Sequence, residues 1–269
     1  MAADLPADAS LVTIVDFDAL RTDLELGQDY DVASLPGEQG SPELRATSYA
    51  SVVLPQFRAL TTTLDRDDPL LDAIDGSRIS GAATVFDSPA TAIIATDQPF
   101  DEISDELLEA GFEERDGVLV APQEIDPSID AVADLGDGRI VLADEEETAG
   151  AVAAGEATGP PAAALLAEVD GPVRLAAELA GGATGDCVSA YSQGEDPAEG
   201  EGSLHLIAGP DPDPELVDID PLGPVDSTED PVANGDRVDL DYMFSLDQAP
   251  GGIAFPAAAS FGVPEVYDC

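Results

Sequence analysis

The stretch 91–122 constrains the fold most, because its pattern predicts a strand, a helix and a second strand in succession. Residues 92–95 form a short apolar run, and Pro99 begins a helix whose first turns carry acids, where the helix dipole favours anions. One face of this helix carries apolar residues at three- and four-residue spacing, namely Phe100, Ile103, Leu107 and Leu108. Gly111 ends the helix, and a turn at 116–117 begins the next strand. Such a unit must lay its helix on a sheet.

Further strands and helices follow the same pattern along the chain. The sequence therefore predicts an α+β fold, with antiparallel or mixed sheets and helices packed on one face. The passages 11–24 and 139–157 both run from a strand into a helix, which suggests two similar α+β lobes. We place a soft boundary at 124, between an N-terminal lobe of residues 1–124 and a C-terminal lobe of residues 125–269, with a single domain as the alternative.

The charge of the chain limits its partners. Fifty-seven acidic residues face nine basic ones, all of them arginine, and the formal net charge is −48. This charge disfavours nucleic acid and anionic membrane surfaces, and favours cations or basic proteins. Self-repulsion destabilises a compact state, and salt relieves it. Adaptation to high salt and export from a high-GC organism both explain the composition.

Cys187 and Cys269 are the two cysteines. An even pair with one member at the last position favours a disulfide that joins the C-terminus to the body of the protein, and this implies an oxidising compartment. Two free or buried thiols are the alternative. The sequence shows no apolar run of about 18 residues, so no transmembrane segment is expected. Residues 1–4 have neither a basic nor an apolar region, so we expect no signal peptide in this chain.

The sharpest candidate for chemistry is the stretch 190–194, Ala-Tyr-Ser-Gln-Gly, which resembles the nucleophile elbow of cutinases and related α/β-hydrolases. That chemistry needs Ser192 on a tight turn between a strand and a helix, with an acid and then a histidine later in the chain. Residues 195–200 are too acidic and too proline-broken for the elbow helix. The single histidine, His205, follows closely within an apparent strand. We therefore expect Ser192 to be an ordinary loop residue and assign no catalytic residue.

Metal and cofactor sites are not expected either. One histidine cannot build a histidine-rich metal site, and no stretch matches the calcium loop of an EF-hand. Two acidic stretches, 211–220 and 65–68, could gather oxygen ligands for calcium, although a solvated acidic surface is the simpler interpretation. No glycine-rich nucleotide motif has the required context. We assign no metal ligand and no cofactor.

Three stretches of the chain together resemble secreted or lipid-anchored proteins of high-GC actinobacteria. They are residues 5–8 with 12–20, the unit from Pro99 to Leu119, and residues 171–173 leading to 185–187. Haloarchaeal surface proteins share the acidity. The resemblance implies an exported, surface-held protein without assigned catalytic residues, although this chain lacks the N-terminal lipobox cysteine of an anchored one.

The leading functional hypothesis is a non-enzymatic extracytoplasmic protein, of surface or lipoprotein type, that binds a partner or assists a complex of the cell envelope. Its partner would be a protein at the cell surface, or cations. A hydrolase that uses Ser192 or a pair of carboxylates is the first alternative. A calcium-binding or salt-adapted acidic module is the second.

Overall fold

The computed structural model describes residues 1–32, 41–53, 69–85, 90–122, 129–179, 188–246 and 266–267. Within them the chain forms one sheet of 13 strands, and every described strand pair is antiparallel. The strands are β1 Leu11–Asp16, β2 Ile79–Val85, β3 Thr91–Thr96, β4 Glu113–Arg115, β5 Val118–Val120, β6 Ala131–Gly136, β7 Arg139–Ala143, β8 Val173–Glu178, β9 Ala190–Asp196, β10 Glu201–Ile207, β11 Val225–Thr228, β12 Val232–Asn234 and β13 Arg237–Phe244.

The strands lie in the order β11-β13-β10-β9-β8-β1-β2-β3-β7-β6-β5-β4, and β12 also pairs with β13. The sheet is continuous across the boundary predicted near residue 124. It crosses that point through the pairs β5–β6, β3–β7 and β1–β8. The division into two similar lobes stays a prediction.

The five α-helices in the described part of the chain are α1 Phe17–Asp23, α2 Pro42–Val53, α3 Pro69–Ala73, α4 Phe100–Glu109 and α5 Glu146–Ala153. Helix α4 is the helix that the sequence predicts from 91–122. Ile103 and Leu107 are buried on its inner face, whereas Leu108 is 40% exposed. Gly111 has a φ of 102°, which allows the chain to leave the helix and turn into β4.

The first hydrophobic core lies on one face of the sheet, which we call the front face. Alternate residues such as Val15, Ile94 and Leu142 point to this side. Helices α1 to α4 cover them with buried side chains that include Phe17, Ala46, Leu70 and Ile103. The α+β class and the antiparallel sheet are thus confirmed.

The opposite face, the back face, carries a second core built from residues such as Val12, Ile93 and Val141. Helix α5 covers it through Ala149 and Val152, together with a 3₁₀ segment, Pro161–Glu168. The prediction that the helices pack on one face therefore holds for four of the five described helices. It does not hold for α5, because strands β3 and β7 have apolar residues on both faces and need cover on both.

The sheet changes character between β8 and β13. On the front face a third apolar core continues through residues such as Leu175, Leu204 and Leu240. The back face here is largely polar, with Ser192, His205, Asp239 and Asp241 among its residues. This half of the sheet therefore carries the side chains best suited to a functional site.

Candidate functional site

The β9–β10 hairpin brings the polar residues of this half together. Its strand β9 alternates, so that Gln193 and Glu195 point to the front face while Gly194 and Asp196 point to the back face. Gln193, Gly194 and Glu195 are all buried although β9 contains few apolar residues. Each face consequently carries its own polar feature, and the two features share one strand.

The front-face feature is a hydrogen-bonded network around the Glu195 carboxylate, which is 1% exposed. Tyr49 of α2 donates its hydroxyl to Glu195 Oε2 at 3.1 Å, and Tyr242 of β13 donates to Glu195 Oε1 at 3.1 Å. Gln193 Nε2 donates to the Tyr242 hydroxyl oxygen at 2.5 Å. A buried carboxylate needs such donors, because burial without hydrogen bonds costs several kcal/mol (~2–7 for a polar group, more for a charged one). The network joins a helix to two strands.

A missing side chain makes this network possible. Val173, Glu195, Gly202 and Tyr242 lie opposite one another in a row across four strands. A Cβ atom on Gly202 would overlap the ring of Tyr242. Gly202 therefore leaves the space in which the Tyr242 ring lies, and from which its hydroxyl reaches Glu195.

The network holds its tyrosines in the neutral form. Burial, and next the charge of Glu195, raise the pKa of the Tyr49 hydroxyl well above its ordinary value of 10.0. The same two causes raise the pKa of Tyr242 well above that value. Both hydroxyls therefore remain protonated, as hydrogen-bond donors to the carboxylate, into the alkaline range.

The second feature is a groove of about 560 Å³, mostly on the back face, that crosses the ends of strands β9, β10, β13 and β11. We call it the acidic groove, and its lining residues are Asp170, Gly171, Gly194, Asp196, Glu201, Gly202, Ser203, Ser227, Thr228, Glu229, Asp241, Tyr242 and Met243. Three glycines are among them, at places where parts of the chain approach closely. A Cβ on Gly194 would overlap the carbonyl oxygen of Asp170, and one on Gly171 would overlap that of Glu195.

Five carboxylates line the acidic groove, and none of the described residues that line it is basic. Arg174 is in register with Gly194 but is not among these lining residues. The ion pairs of the exposed or half-buried arginines 78, 115, 139 and 237 are made with carboxylates outside the groove. The described residues also contain no group of three or more acidic, histidine or cysteine side chains placed to hold a metal ion. The negative charge is spread along the groove.

The structure places Ser192 inside strand β9, and not on a turn between a strand and a helix. The expectation of a loop residue is therefore wrong, because residues 195 and 196 continue the strand, and Ser192 does not lie on the tight turn that a nucleophile elbow needs. Ser192 is 2% exposed.

The register nevertheless puts Ser192, His205 and Asp239 in one row across three strands of the back face. His205 Nε2 is 3.8 Å from Asp239 Oδ1. Burial, and next the charge of Arg237, lower the pKa of the His205 imidazole. No hydrogen bond joins Ser192 to His205, both of which are described residues. The three residue types of a serine hydrolase are neighbours here without its hydrogen-bonded geometry.

The remaining sites predicted from the sequence are placed as follows. In the stretch 211–220, Asp213 accepts a hydrogen bond from Glu215 N at 3.0 Å and Asp218 accepts one from Asp220 N at 3.0 Å, so both carboxylates shape the local turns. The stretch 65–68 lies outside the described residues. Cys187 and Cys269 also lie outside them, so the disulfide stays a prediction. Among the described helices, none has the length and apolar character needed to cross a membrane.

Comparison with known proteins gives a fold and no family. No protein-family model matches the chain, and no curated protein matches its sequence. Its fold is similar to that of TP0453: crystal form I of that protein gives a TM-score of 0.53 at 10% identity, covering 99% of this chain and 97% of the other. Crystal form III gives a TM-score of 0.50 at 8% identity, with 96% and 97% covered. At this identity the likeness shows the overall α+β fold alone.

Sequence reasoning missed the residues of both features. Glu195 reads as part of an acidic, proline-containing turn, and nothing local shows that Tyr49 and Tyr242 reach it across 146 and 47 positions. One sequence signal could have located Glu195. Tyr191, Gln193 and Glu195 occupy every second position, which is typical of residues on one face of a strand.

Proposed function

We propose that this protein is a non-enzymatic, extracytoplasmic binding or accessory protein of the cell envelope, and that it holds a cationic segment of a partner in the acidic groove. The observation that carries the proposal is the composition of the groove, with five carboxylates and no base among the described residues that line it. The cysteine pair supports a location outside the cytoplasm.

The shape and the charge of the groove favour the same kind of ligand. The carboxylates are spread over five chain segments, an arrangement that suits several separate positive charges better than one compact ion. Gly171 and Gly194 let the segment before β8 pack closely against β9, since a Cβ on either would overlap backbone of the other segment. The net charge of −48 would steer such a ligand towards the protein and raise its association rate.

A titration with a blocked penta-lysine peptide at physiological ionic strength tests this proposal. We expect the double substitution Glu229→Gln/Asp241→Asn to weaken binding about five- to tenfold, because it removes two exposed ion pairs worth about 0.5–0.7 kcal/mol each, near the middle of the range for exposed pairs. Both residues are exposed at the groove, and Glu229 N donates to the Asp241 carbonyl oxygen at 3.0 Å. Isothermal titration calorimetry gives the affinity.

The matched control is Asp105→Asn/Glu114→Gln, which changes the net charge equally. These two exposed residues lie on helix α4 and on β4, the opposite edge of the sheet. We expect this variant to bind within about twofold of the unsubstituted protein, since long-range charge is screened over about 8 Å. Equal losses in both variants would show that the peptide responds to total charge, and the groove would then not be the site.

The hydrolase alternative is favoured by one observation, the row of Ser192, His205 and Asp239 across the back face. Against it, Ser192 is 2% exposed, which leaves no room for a substrate carbonyl beside its hydroxyl. The calcium-binding alternative has no comparable observation among the described residues.

We expect a fluorophosphonate probe to leave Ser192 unlabelled, because the reagent must reach the hydroxyl and needs a base bonded to it. Intact mass spectrometry after incubation with the probe detects the adduct. A heat-unfolded sample serves as the control for unspecific labelling. An adduct on Ser192 of the folded protein, lost in His205→Gln, would establish the hydrolase and remove our proposal.

A further inference from the structure

We propose that the position of helix α2 and the occupancy of the acidic groove are coupled through the β9–β10 hairpin; this inference rests on the proposed function. Helix α2 lies on the front face of the sheet, and the acidic groove lies mostly on the back face. The buried Glu195 carboxylate lies between them.

Helix α2 is held to the hairpin by two side chains one helical turn apart. Arg45 Nη1 donates to the carbonyl oxygen of Pro197 at 3.3 Å, and the Tyr49 hydroxyl donates to Glu195 Oε2 at 3.1 Å. Residues at i and i+4 share a helix face, so both contacts are made together. The described side chains that α2 buries on this side are otherwise small, as at Ala46 and Ala50. Helix α2 packs on β1 and β2, and these two polar contacts link it to the hairpin.

The same hairpin forms part of the acidic groove on the other face. Gly194, Asp196, Glu201 and Gly202 line it, and Gly194 and Asp196 are the chain neighbours of Glu195. The second donor to Glu195, Tyr242, belongs to a strand that also lines the groove. The buried carboxylate therefore belongs to a strand that supplies two residues of the groove lining.

Electrostatic attraction determines whether bound ligand stabilises or destabilises the docked position of helix α2. Glu195 is buried, so a charge across the strand is screened less than it would be in water. A cationic ligand in the groove offsets the cost of the buried negative charge, and it does so more strongly when the docked helix excludes water from Glu195. Bound ligand therefore stabilises the docked helix. By thermodynamic reciprocity, the docked helix strengthens ligand binding by the same factor.

Hydrogen exchange of the α2 amides, with and without the penta-lysine peptide, tests the coupling. We expect saturating peptide to slow exchange over residues 46–50 about fivefold, which is the lower end of measured allosteric couplings. In Tyr49→Phe the peptide still binds, about fivefold more weakly, and the slowing is lost. In the groove variant Glu229→Gln/Asp241→Asn the same slowing needs about five- to tenfold more peptide.

Tyr30→Phe is the matched control, because the Tyr30 hydroxyl bonds to two residues of the same helix. Its hydroxyl donates to the Glu43 carbonyl oxygen at 3.2 Å and is 3.0 Å from Thr47 Oγ1. We expect this variant to exchange faster throughout α2, and still to respond to the peptide with unchanged affinity.

The outcomes separate the two proposals. Peptide that binds in the groove while exchange in α2 stays the same would overturn the coupling and leave the binding function standing. An equal loss of the response in Tyr49→Phe and Tyr30→Phe would also overturn the route through Glu195. Failure of the peptide to bind would overturn the binding function, and the coupling with it.

Discussion

Arg21→Met is expected to lower the free energy of unfolding by about 3–5 kcal/mol, the range typical of breaking a buried charged network. The Arg21 side chain is almost fully buried, at 1% exposure of the residue. All three nitrogens of its guanidinium group donate hydrogen bonds. Nε donates to Tyr30 O at 3.0 Å, and Nη1 donates to Ile79 O at 2.8 Å and to Asp18 Oδ1 at 3.1 Å. Nη2 donates to Gly76 O at 3.1 Å and to Ser77 O at 3.3 Å.

These contacts fasten helix α1 to the chain segment that leads into β2. Methionine fills much of the volume but donates no hydrogen bond, so buried carbonyl groups lose their partners at roughly 1–3 kcal/mol each. Urea unfolding at constant salt, followed by circular dichroism, measures the loss.

Arg115→Met is the matched control, since it removes one positive charge at an exposed position. Arg115 is 49% exposed and pairs with Glu113 at 2.8 Å and Glu146 at 3.2 Å. Exposed ion pairs contribute about 0–1 kcal/mol, so we expect a loss below about 1 kcal/mol. Similar losses in the two variants would show that net charge, and not the buried contacts, makes Arg21 important.

The second large effect is expected for Gly171→Ala, at about 3 kcal/mol of lost stability, because two causes add. Gly171 has a φ of 102°, where a residue with a Cβ is strained by roughly 1–2 kcal/mol. The new Cβ would also overlap the carbonyl oxygen of Glu195, and relieving such an overlap costs typically about 1–3 kcal/mol.

Gly117→Ala separates these two causes. Gly117 has a φ of 84°, and no atom lies within 4 Å of the place that a Cβ would take, so only the backbone strain applies. We expect a loss of about 1–2 kcal/mol in the same urea experiment. Equal losses at the two glycines would mean that β9 moves to accommodate the added methyl group. The close approach between Gly171 and the Glu195 carbonyl oxygen would then not be rigid.

Local patterns were sufficient for the elements that are determined locally. The strand Leu11–Asp16, the helix Phe100–Glu109 and the strand Arg237–Phe244 follow from spacing, turn residues and helix ends that lie within each segment. The α+β class follows from their alternation. The prediction for Ser192 failed because acids and a proline after it resemble a turn, whereas pairing with β8 and β10 extends the strand to Asp196.

Long-range pairing was beyond local patterns. Strand β1 pairs with β8, far later in the chain, and no feature of either strand specifies the other. The Glu195 network has the same character, because its members come from α2, β9 and β13. The acidic groove exists only once several separate segments meet. With 57 acidic residues in the chain, the sequence could not indicate which of them gather there.

The most direct measurement for the central claim is a map of where the cationic ligand lies. Titration of ¹⁵N-labelled protein with penta-lysine peptide should shift the amide resonances of Gly194, Asp196, Gly202, Glu229 and Asp241 in one saturable process, because these residues line the acidic groove. The same titration of Glu229→Gln/Asp241→Asn should need several-fold more peptide. Shifts scattered over acidic surfaces such as helix α4, with no preference for the groove, would contradict the proposal that it is a binding site.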